Sequence, residues 1–123
     1  MNIISTKFFE SDVKYYLKKK RFKKINDDIN TVTSELEQGN LVGDRLDNLD
    51  IPANIAAYKV RIANSSINVG KSNGFRLIYY VVIDEKVYLV SIYSKKDDAR
   101  IPSDKAIELL IKAVLEDETP KEE

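Results

Sequence analysis

Basic side chains recur at alternating positions in the second half of the sequence. Residues 57–62 alternate in polarity, which predicts a strand with Tyr58, Val60 and Ile62 on one face and Lys59 and Arg61 on the other. Two cations on one strand face are suited to binding a phosphate group.

Arg76 stands near the start of a nearly continuous apolar run, residues 75–83. The β-branched and aromatic composition of this run is typical of a central strand that is buried on both faces. A charge in such a strand costs free energy unless it is paired or faces a cleft. Arg76 is therefore the least ordinary of the basic residues.

The next strand adds further candidates. Residues 87–94 are predicted to form an antiparallel hairpin with the preceding strand. Alternation along this strand places Ser91, Tyr93 and Lys95 on one face. An aromatic residue beside cations favours stacking with a base.

Lys71 lies in a loop, residues 70–74, that has a glycine at each end. Glycines let a backbone approach a phosphate closely. The alternative is a hairpin loop whose glycines adopt positive φ angles. The spacing does not match a P-loop.

Together these residues predict one basic surface with an aromatic member. If the strand faces coincide, the surface consists of Lys59, Arg61, Arg76, Tyr93 and Lys95, with Lys71 above it. Taken alone, Lys59 is most simply interpreted as a solvated strand residue, and Tyr93 as a half-buried residue that packs against its neighbours. The combination points to phosphate binding and base stacking.

Composition excludes several classes of chemistry. The 123 residues include no Cys and no His. Disulfides, thiolate metal sites, Cys nucleophiles, Ser–His triads and histidine-based ribonuclease chemistry are therefore excluded. The adjacent acid pairs lack the spacing of a glycosidase or a two-metal site. We expect no metal and no cofactor.

The net charge of zero conceals an uneven distribution. Residues 7–24 carry eight Lys or Arg against two acids, and residues 25–50 carry one Arg against seven acids. Local patches of one sign attract polyanions even on a neutral protein. The run at residues 18–24, taken alone, is typical of a solvated helix face.

Apolar periodicity in the first third predicts a short strand and two helices. The strand covers residues 2–5, and the helices cover about 8–20 and 22–38, with one long helix as the alternative. The Gly39-Asn40 pair is a helix stop signal. Residues 39–55 then form a long loop, a kind of segment that is often functional or mobile.

The last third predicts a terminal helix. Ser103 is a capping residue, and Ile107, Leu110, Ile111 and Val114 form one apolar stripe. The acidic tail at 116–123 is expected to fray.

The element order β-α-α-β-β-β-α predicts an α+β fold in a single domain, residues 1–123. Two N-terminal helices and a C-terminal helix would pack on one face of a small twisted antiparallel sheet. The other sheet face would remain open. No apolar run is long enough to span a bilayer and the N-terminus lacks the pattern of a signal peptide, so we expect a cytoplasmic protein without membrane contact.

Three stretches of the core resemble the RelE/ParE superfamily of toxins from bacterial toxin–antitoxin modules, and the HigB-type branch most. They are YKVRIAN at 58–64, GKSNGFRLIYY at 70–80 and IYSK at 92–95. Two departures stand out. Many members have Gly-Gly where this chain has Asn73-Gly74, and the basic residue after the last strand is either Lys95 or Lys96.

The resemblance implies a RelE-like fold and a ribosome-dependent mRNA endonuclease without a metal. In such toxins the ribose 2′-hydroxyl of the mRNA attacks the adjacent phosphate, so the protein needs no nucleophile of its own. The resemblance also implies a cognate antitoxin protein that neutralises the toxin. The partners would thus be mRNA on the ribosome and the antitoxin.

The resemblance assigns roles to the basic surface. Arg76 would bind the scissile phosphate, Arg61 would hold the neighbouring phosphate or help activate the hydroxyl, and Tyr93 would stack on a base or relay a proton. Lys95 or Lys71 would carry the proton. The phosphate-binding candidates are Lys59, Lys71 and Lys96.

Two alternatives to the nuclease remain. The chain is a toxin of the same fold that acts on another target such as gyrase, or it is a non-catalytic RNA-binding domain. Members of the superfamily that act on gyrase lack nuclease activity, so the resemblance alone does not separate these functions.

Overall fold

The computed structural model describes residues 1–82 and 85–118, except the side chain of Glu118. The described chain forms five strands and three helices, which confirms the α+β class. The strands are β1 (Asn2–Ser5), β2 (Asp44–Arg45), β3 (Ile55–Ile62), β4 (Phe75–Val82) and β5 (Lys86–Ser94). The helices are α1 (Lys7–Lys18), α2 (Ile25–Glu37) and α3 (Asp104–Glu118).

The first two helices are separate, so the alternative of one long helix is wrong. Thr6 caps α1, because its hydroxyl accepts a hydrogen bond from the Phe9 amide at 3.3 Å. Arg21 adopts a left-handed conformation with φ of 57°, which a continuing helix cannot accommodate. The helices are consequently shorter than predicted on either side of a turn at residues 19–24.

The sheet is mixed rather than wholly antiparallel. Its strand order is β1-β5-β4-β3-β2, and β1 pairs in parallel with β5 while the other neighbours are antiparallel. The predicted hairpin of β4 and β5 is confirmed, although Asp84 in its predicted turn and Ile83 at its predicted strand end lie outside the described residues. Parallel strands need a long crossover connection, and here the chain from α1 to β4 connects β1 with β5.

The helices lie on both faces of the sheet, so the prediction of one helical face is wrong. The α1–α2 face buries residues such as Tyr16, Leu36 and Phe75 in one apolar cluster. On the opposite face, α3 packs Ile107 and Ile111 in a second cluster with strand residues that include Ala57, Ile78, Tyr80, Tyr88 and Val90. The physical cause is the composition of β4 and β5, which are apolar on both faces and need cover on both.

The predicted long loop at residues 39–55 is partly ordered by contacts with α3. The long loop contains β2 and packs Leu46, Leu49 and Ile51 against the α3 cluster, and the amide of Asp50 donates to Glu108 at 2.9 Å. Ser103 caps α3 as predicted, since its hydroxyl accepts the Ala106 amide at 3.1 Å.

Part of the segment predicted to fray is helical. Helix α3 continues through positions 116–118 and makes an ion pair between Asp117 and Lys7 at 3.2 Å, while residues 119–123 lie outside the described residues. None of the described helices, α3 included, combines the length and apolar character needed to cross a bilayer.

Candidate functional site

Arg61, Arg76 and Tyr93 form a row across three adjacent strands. In the sheet register Arg61 of β3 stands opposite Arg76 of β4, and Arg76 stands opposite Tyr93 of β5. Side chains of directly paired residues lie on the same face at close spacing, and two like charges there repel. We call these three residues the cross-strand row.

The Arg76 guanidinium is buried under the loop that precedes β4. Only 8% of the residue is exposed, and its Nη1 donates to the carbonyls of Lys71 at 3.0 Å and Phe75 at 3.2 Å. Its Nη2 donates to the Ser72 carbonyl at 3.2 Å. Burial, followed by the charge of Arg61, lowers the pKa of Arg76 from its usual value.

These bonds use three of the five N–H groups of a guanidinium. The two others, on Nε and Nη2, have no hydrogen-bond partner among the described residues. Arg76 thus fixes the loop and keeps donors for a further acceptor.

Tyr93 is also buried, with 5% of the residue exposed. Burial raises the pKa of its hydroxyl and the charge of Arg76 acts in the opposite direction, so the phenol is neutral at physiological pH. Ser91 stands opposite Ile78, which lies on the same face of β4 as Arg76, so the register agrees with the predicted shared face of Ser91 and Tyr93. The Ser91 hydroxyl donates at 2.9 Å to Asp12 of α1.

A β-bulge interrupts β5 next to Ser91. The register pairs Ile78 with Ser91 but Tyr79 with Leu89, so one extra residue, Val90, is inserted in β5. A bulge shifts the alternation of side chains along its strand. Sequence alternation alone cannot reveal this shift.

Arg61 and Lys71 line a cavity of about 490 Å³ between α2 and the edge of β3. Strand β2 pairs only with Tyr58 and Lys59, so it does not cover the end of β3. A cavity of this volume lies within the range that binds small ligands. Two acids of α2, Asp28 and Glu35, line its other wall.

The other predicted cations, Lys59, Lys95 and Lys96, do not line the cavity. Lys59 is half-buried on the same strand face as Arg61, and Lys95 and Lys96 are exposed just after β5. The Lys95 amide donates to the Gly74 carbonyl at 2.9 Å, which joins the end of β5 to the start of β4. The predicted single basic surface is therefore only partly assembled. Arg61 belongs to both the cross-strand row and the cavity.

None of the predicted cations is neutralised by a carboxylate of the described residues. The ion pairs of the described chain involve Lys7, Arg45, Arg100 and Lys105 instead. Nor do His, Cys, Asp and Glu side chains of the described chain form a group that could hold a metal ion. The cations of the site can therefore bind anions.

The loop at residues 70–74 does not owe its glycines to positive φ angles, so that interpretation is wrong. Gly70 has φ of −77° and Gly74 has φ of −90°. Gly74 is required for a different reason, because an added Cβ would lie 2.1 Å from the Ile62 carbonyl oxygen. Close approach of two backbones holds the loop that carries Lys71 against the end of β3.

A buried polar network supports the end of β5 from the other face, and no sequence pattern predicts it. Tyr16 of α1 accepts the Ser94 amide at 2.8 Å and donates to Asp97 at 3.3 Å. Asp12 forms an ion pair with Arg100 at 2.9 Å. These partners lie about 80 residues apart in the sequence, so no local pattern connects them.

The raised pKa of the Tyr16 hydroxyl predicts how the free energy of unfolding changes at alkaline pH. Burial raises its pKa from 10.0 to about 12. The folded state therefore retains this proton when the unfolded state loses it, and stability falls as pH rises from about 10 to about 12. We expect a loss of about 2 kcal/mol from this group, measured by urea unfolding at stepped pH.

The matched variants are Tyr16→Phe and Tyr15→Phe. Tyr16→Phe should flatten this part of the pH profile, because it removes the titrating hydroxyl and keeps the ring. Tyr15→Phe should retain the wild-type profile. Identical profiles for the two variants would contradict the assignment to Tyr16.

A scan against protein-family models gives no match for this chain, and a search of curated proteins finds no relative. The resemblance to RelE/ParE toxins therefore stays a prediction.

Proposed function

We propose that the protein is an mRNA endonuclease of the toxin type, which acts in translation and needs no metal. The observation that supports this function is the cross-strand pair of Arg61 and Arg76, two adjacent cations without a carboxylate partner among the described residues. Their repulsion costs free energy in the free protein and is relieved by a bound phosphate. Such costly arrangements are characteristic of functional sites.

The proposed reaction uses the substrate's own nucleophile. The 2′-oxygen of a ribose attacks the adjacent phosphorus and the bond to the 5′-oxygen of the next nucleotide breaks. The products are a 2′,3′-cyclic phosphate and a 5′-hydroxyl. The 2′-hydroxyl gives up one proton and the leaving oxygen takes up one, so the protein orients the strand, moves a proton and stabilises charge.

Each residue of the site has a role in this proposal. Arg61 is exposed and binds the phosphate directly, while Arg76 adds charge and its two remaining N–H donors from below. Neutral Tyr93 donates a hydrogen bond or stacks on a base. Lys71 and Lys95, both exposed beside the row, are the candidates for the proton carrier.

The burial of Arg76 favours a second candidate function, that of a non-catalytic RNA-binding domain. Arg76 uses three N–H groups on loop carbonyls, which is a positioning role that pure binding also requires. Under either function we propose a cognate antitoxin as partner, because unpaired cations attract an acidic segment of another protein.

The test is to express the chain in a translating extract and to map mRNA ends. We expect new 5′-hydroxyl ends inside translated reading frames. The same RNA without ribosomes shows whether translation is required. RNA binding without new ends would overturn the nuclease in favour of the binding domain, and growth arrest with intact mRNA would favour another target such as gyrase.

A further inference from the structure

A compact group of cations lies outside the cross-strand row, in the turn between α1 and α2. Six of the seven residues at 18–24 are Lys or Arg, and all six are exposed. We call them the basic turn: Lys18, Lys19, Lys20, Arg21, Lys23 and Lys24. No described carboxylate forms an ion pair with any of them.

The basic turn is not the helix face that the sequence suggested. Helix α1 ends at Lys18 and α2 begins at Ile25, so five of the six cations lie on a turn. The left-handed conformation of Arg21, with φ of 57°, interrupts the helical path, and the six cations fall within seven consecutive residues. Mutual repulsion of so many cations favours a bound polyanion.

Phe22, the one uncharged residue of this segment, holds the turn in place. Its ring stacks on Tyr16 with centroids 5.9 Å apart and packs edge-on against Phe75 at 5.8 Å. Its amide donates to the Tyr16 carbonyl at 3.0 Å, and the Lys24 amide donates to the Ser66 hydroxyl at 3.0 Å. The charges are thus presented by a fixed backbone, which lowers the entropic cost of binding.

These same contacts place the basic turn at the end of the sheet that carries the cross-strand row. Phe75 precedes Arg76 in β4, and Ser66 lies in the connection that leads to Lys71. Tyr16, beneath Phe22, also binds the amide of Ser94 at the end of β5. Cations therefore continue around this end of the sheet from one face to the other.

We propose that the basic turn is a second RNA-binding surface, which holds the phosphate backbone of RNA flanking the segment bound at the cross-strand row. This inference rests on the proposed RNA substrate and extends it. The surface recognises charge rather than base sequence, because Lys and Arg on a turn contact phosphates and the segment offers no free aromatic ring for stacking. An acidic protein segment is the competing occupant.

The experiment measures binding of a fluorescent single-stranded RNA that carries 2′-O-methyl riboses and is resistant to cleavage. The test variant is Lys18→Gln, Lys20→Gln and Lys23→Gln together. The control variant changes Lys7, Lys105 and Lys112 to Gln, which removes the same charge from exposed positions elsewhere. Circular dichroism checks that both variants fold.

We expect the test variant to bind about tenfold more weakly at moderate salt, and the slope of log affinity against log salt to fall by about 2. The control variant should stay within about twofold of wild type, because dispersed charges do not form a phosphate-binding surface. Equal losses in the two variants would overturn the proposal. So would binding of polyglutamate to the basic turn as tight as that of RNA at the same salt.

Because the 2′-O-methyl RNA cannot be cleaved, its binding tests the basic turn independently of the proposed nuclease activity. Absence of cleavage in the translating extract, together with the expected loss in the test variant, would overturn the nuclease and support the RNA-binding basic turn. Wild-type cleavage with no difference between the two variants would support the nuclease and overturn the basic turn.

Discussion

Replacement of Arg61 by Gln is expected to lower the rate of mRNA cleavage by about 100-fold, since one preorganised charge on the reacting phosphate is lost. The fold should be unaffected, because Arg61 is exposed and forms no ion pair with the described residues. We expect the free energy of unfolding to change by less than about 0.5 kcal/mol. Cleavage is measured in the translating extract and stability by urea unfolding.

Arg45→Gln is the matched control for Arg61→Gln. Arg45 lies on the neighbouring strand β2, is exposed and pairs with Asp47 at 3.2 Å. An exposed ion pair contributes little to stability, so this variant should cleave and unfold as wild type does. Equal activity of Arg45→Gln and Arg61→Gln would show that the cross-strand row does not bind the reacting strand.

Arg76→Gln should differ from Arg61→Gln in a diagnostic way. It removes charge from the row and also removes donors from the carbonyls of Lys71, Phe75 and Ser72. We expect a loss of about 2 kcal/mol in unfolding free energy together with the loss of cleavage. Preserved stability in this variant would contradict the buried geometry of Arg76.

Gly74→Ala is expected to destabilise the protein by about 3 kcal/mol, which is the range of severe overpacking. A Cβ at this position would lie 2.1 Å from the Ile62 carbonyl oxygen and 2.9 Å from the Asn64 amide nitrogen. Both obstacles are backbone atoms, so neither can rotate away. The melting temperature should fall by roughly 10 °C, measured by calorimetry.

Gly70→Ala provides the control within the same loop. Gly70 has an ordinary negative φ of −77°, and nothing lies within 4 Å of the position of its Cβ. Alanine there should leave stability unchanged or raise it by about 0.5 kcal/mol, because it restricts the unfolded chain. Similar melting temperatures for the two variants would refute the close approach of β3 and β4 at Gly74.

The functional consequence of Gly74 follows from its carbonyl. It accepts the amide of Lys95 at 2.9 Å, so a displaced Gly74 would also displace the cations that follow β5. Asn73, next to Gly74, does not adopt a positive φ, so its backbone conformation does not require glycine.

Local sequence determined most of the elements and the class of the fold. The apolar period predicted α1, α2 and α3, and the sequence also predicted the capping role of Ser103. The alternation at residues 57–62 correctly placed Lys59 and Arg61 on the face opposite the apolar residues of β3. These features depend on residues within one or two turns or strands of each other, which a sequence displays directly.

Only the tertiary structure decided how those elements combine. The sequence did not show that β1 pairs in parallel beside β5, that α3 covers the second sheet face, or that a bulge interrupts β5 beside Ser91, whose hydroxyl binds Asp12. It showed a costly charge at Arg76 but not the three carbonyls that hold it. Register, face and partner are set by packing between distant segments, and such packing leaves no period in the chain.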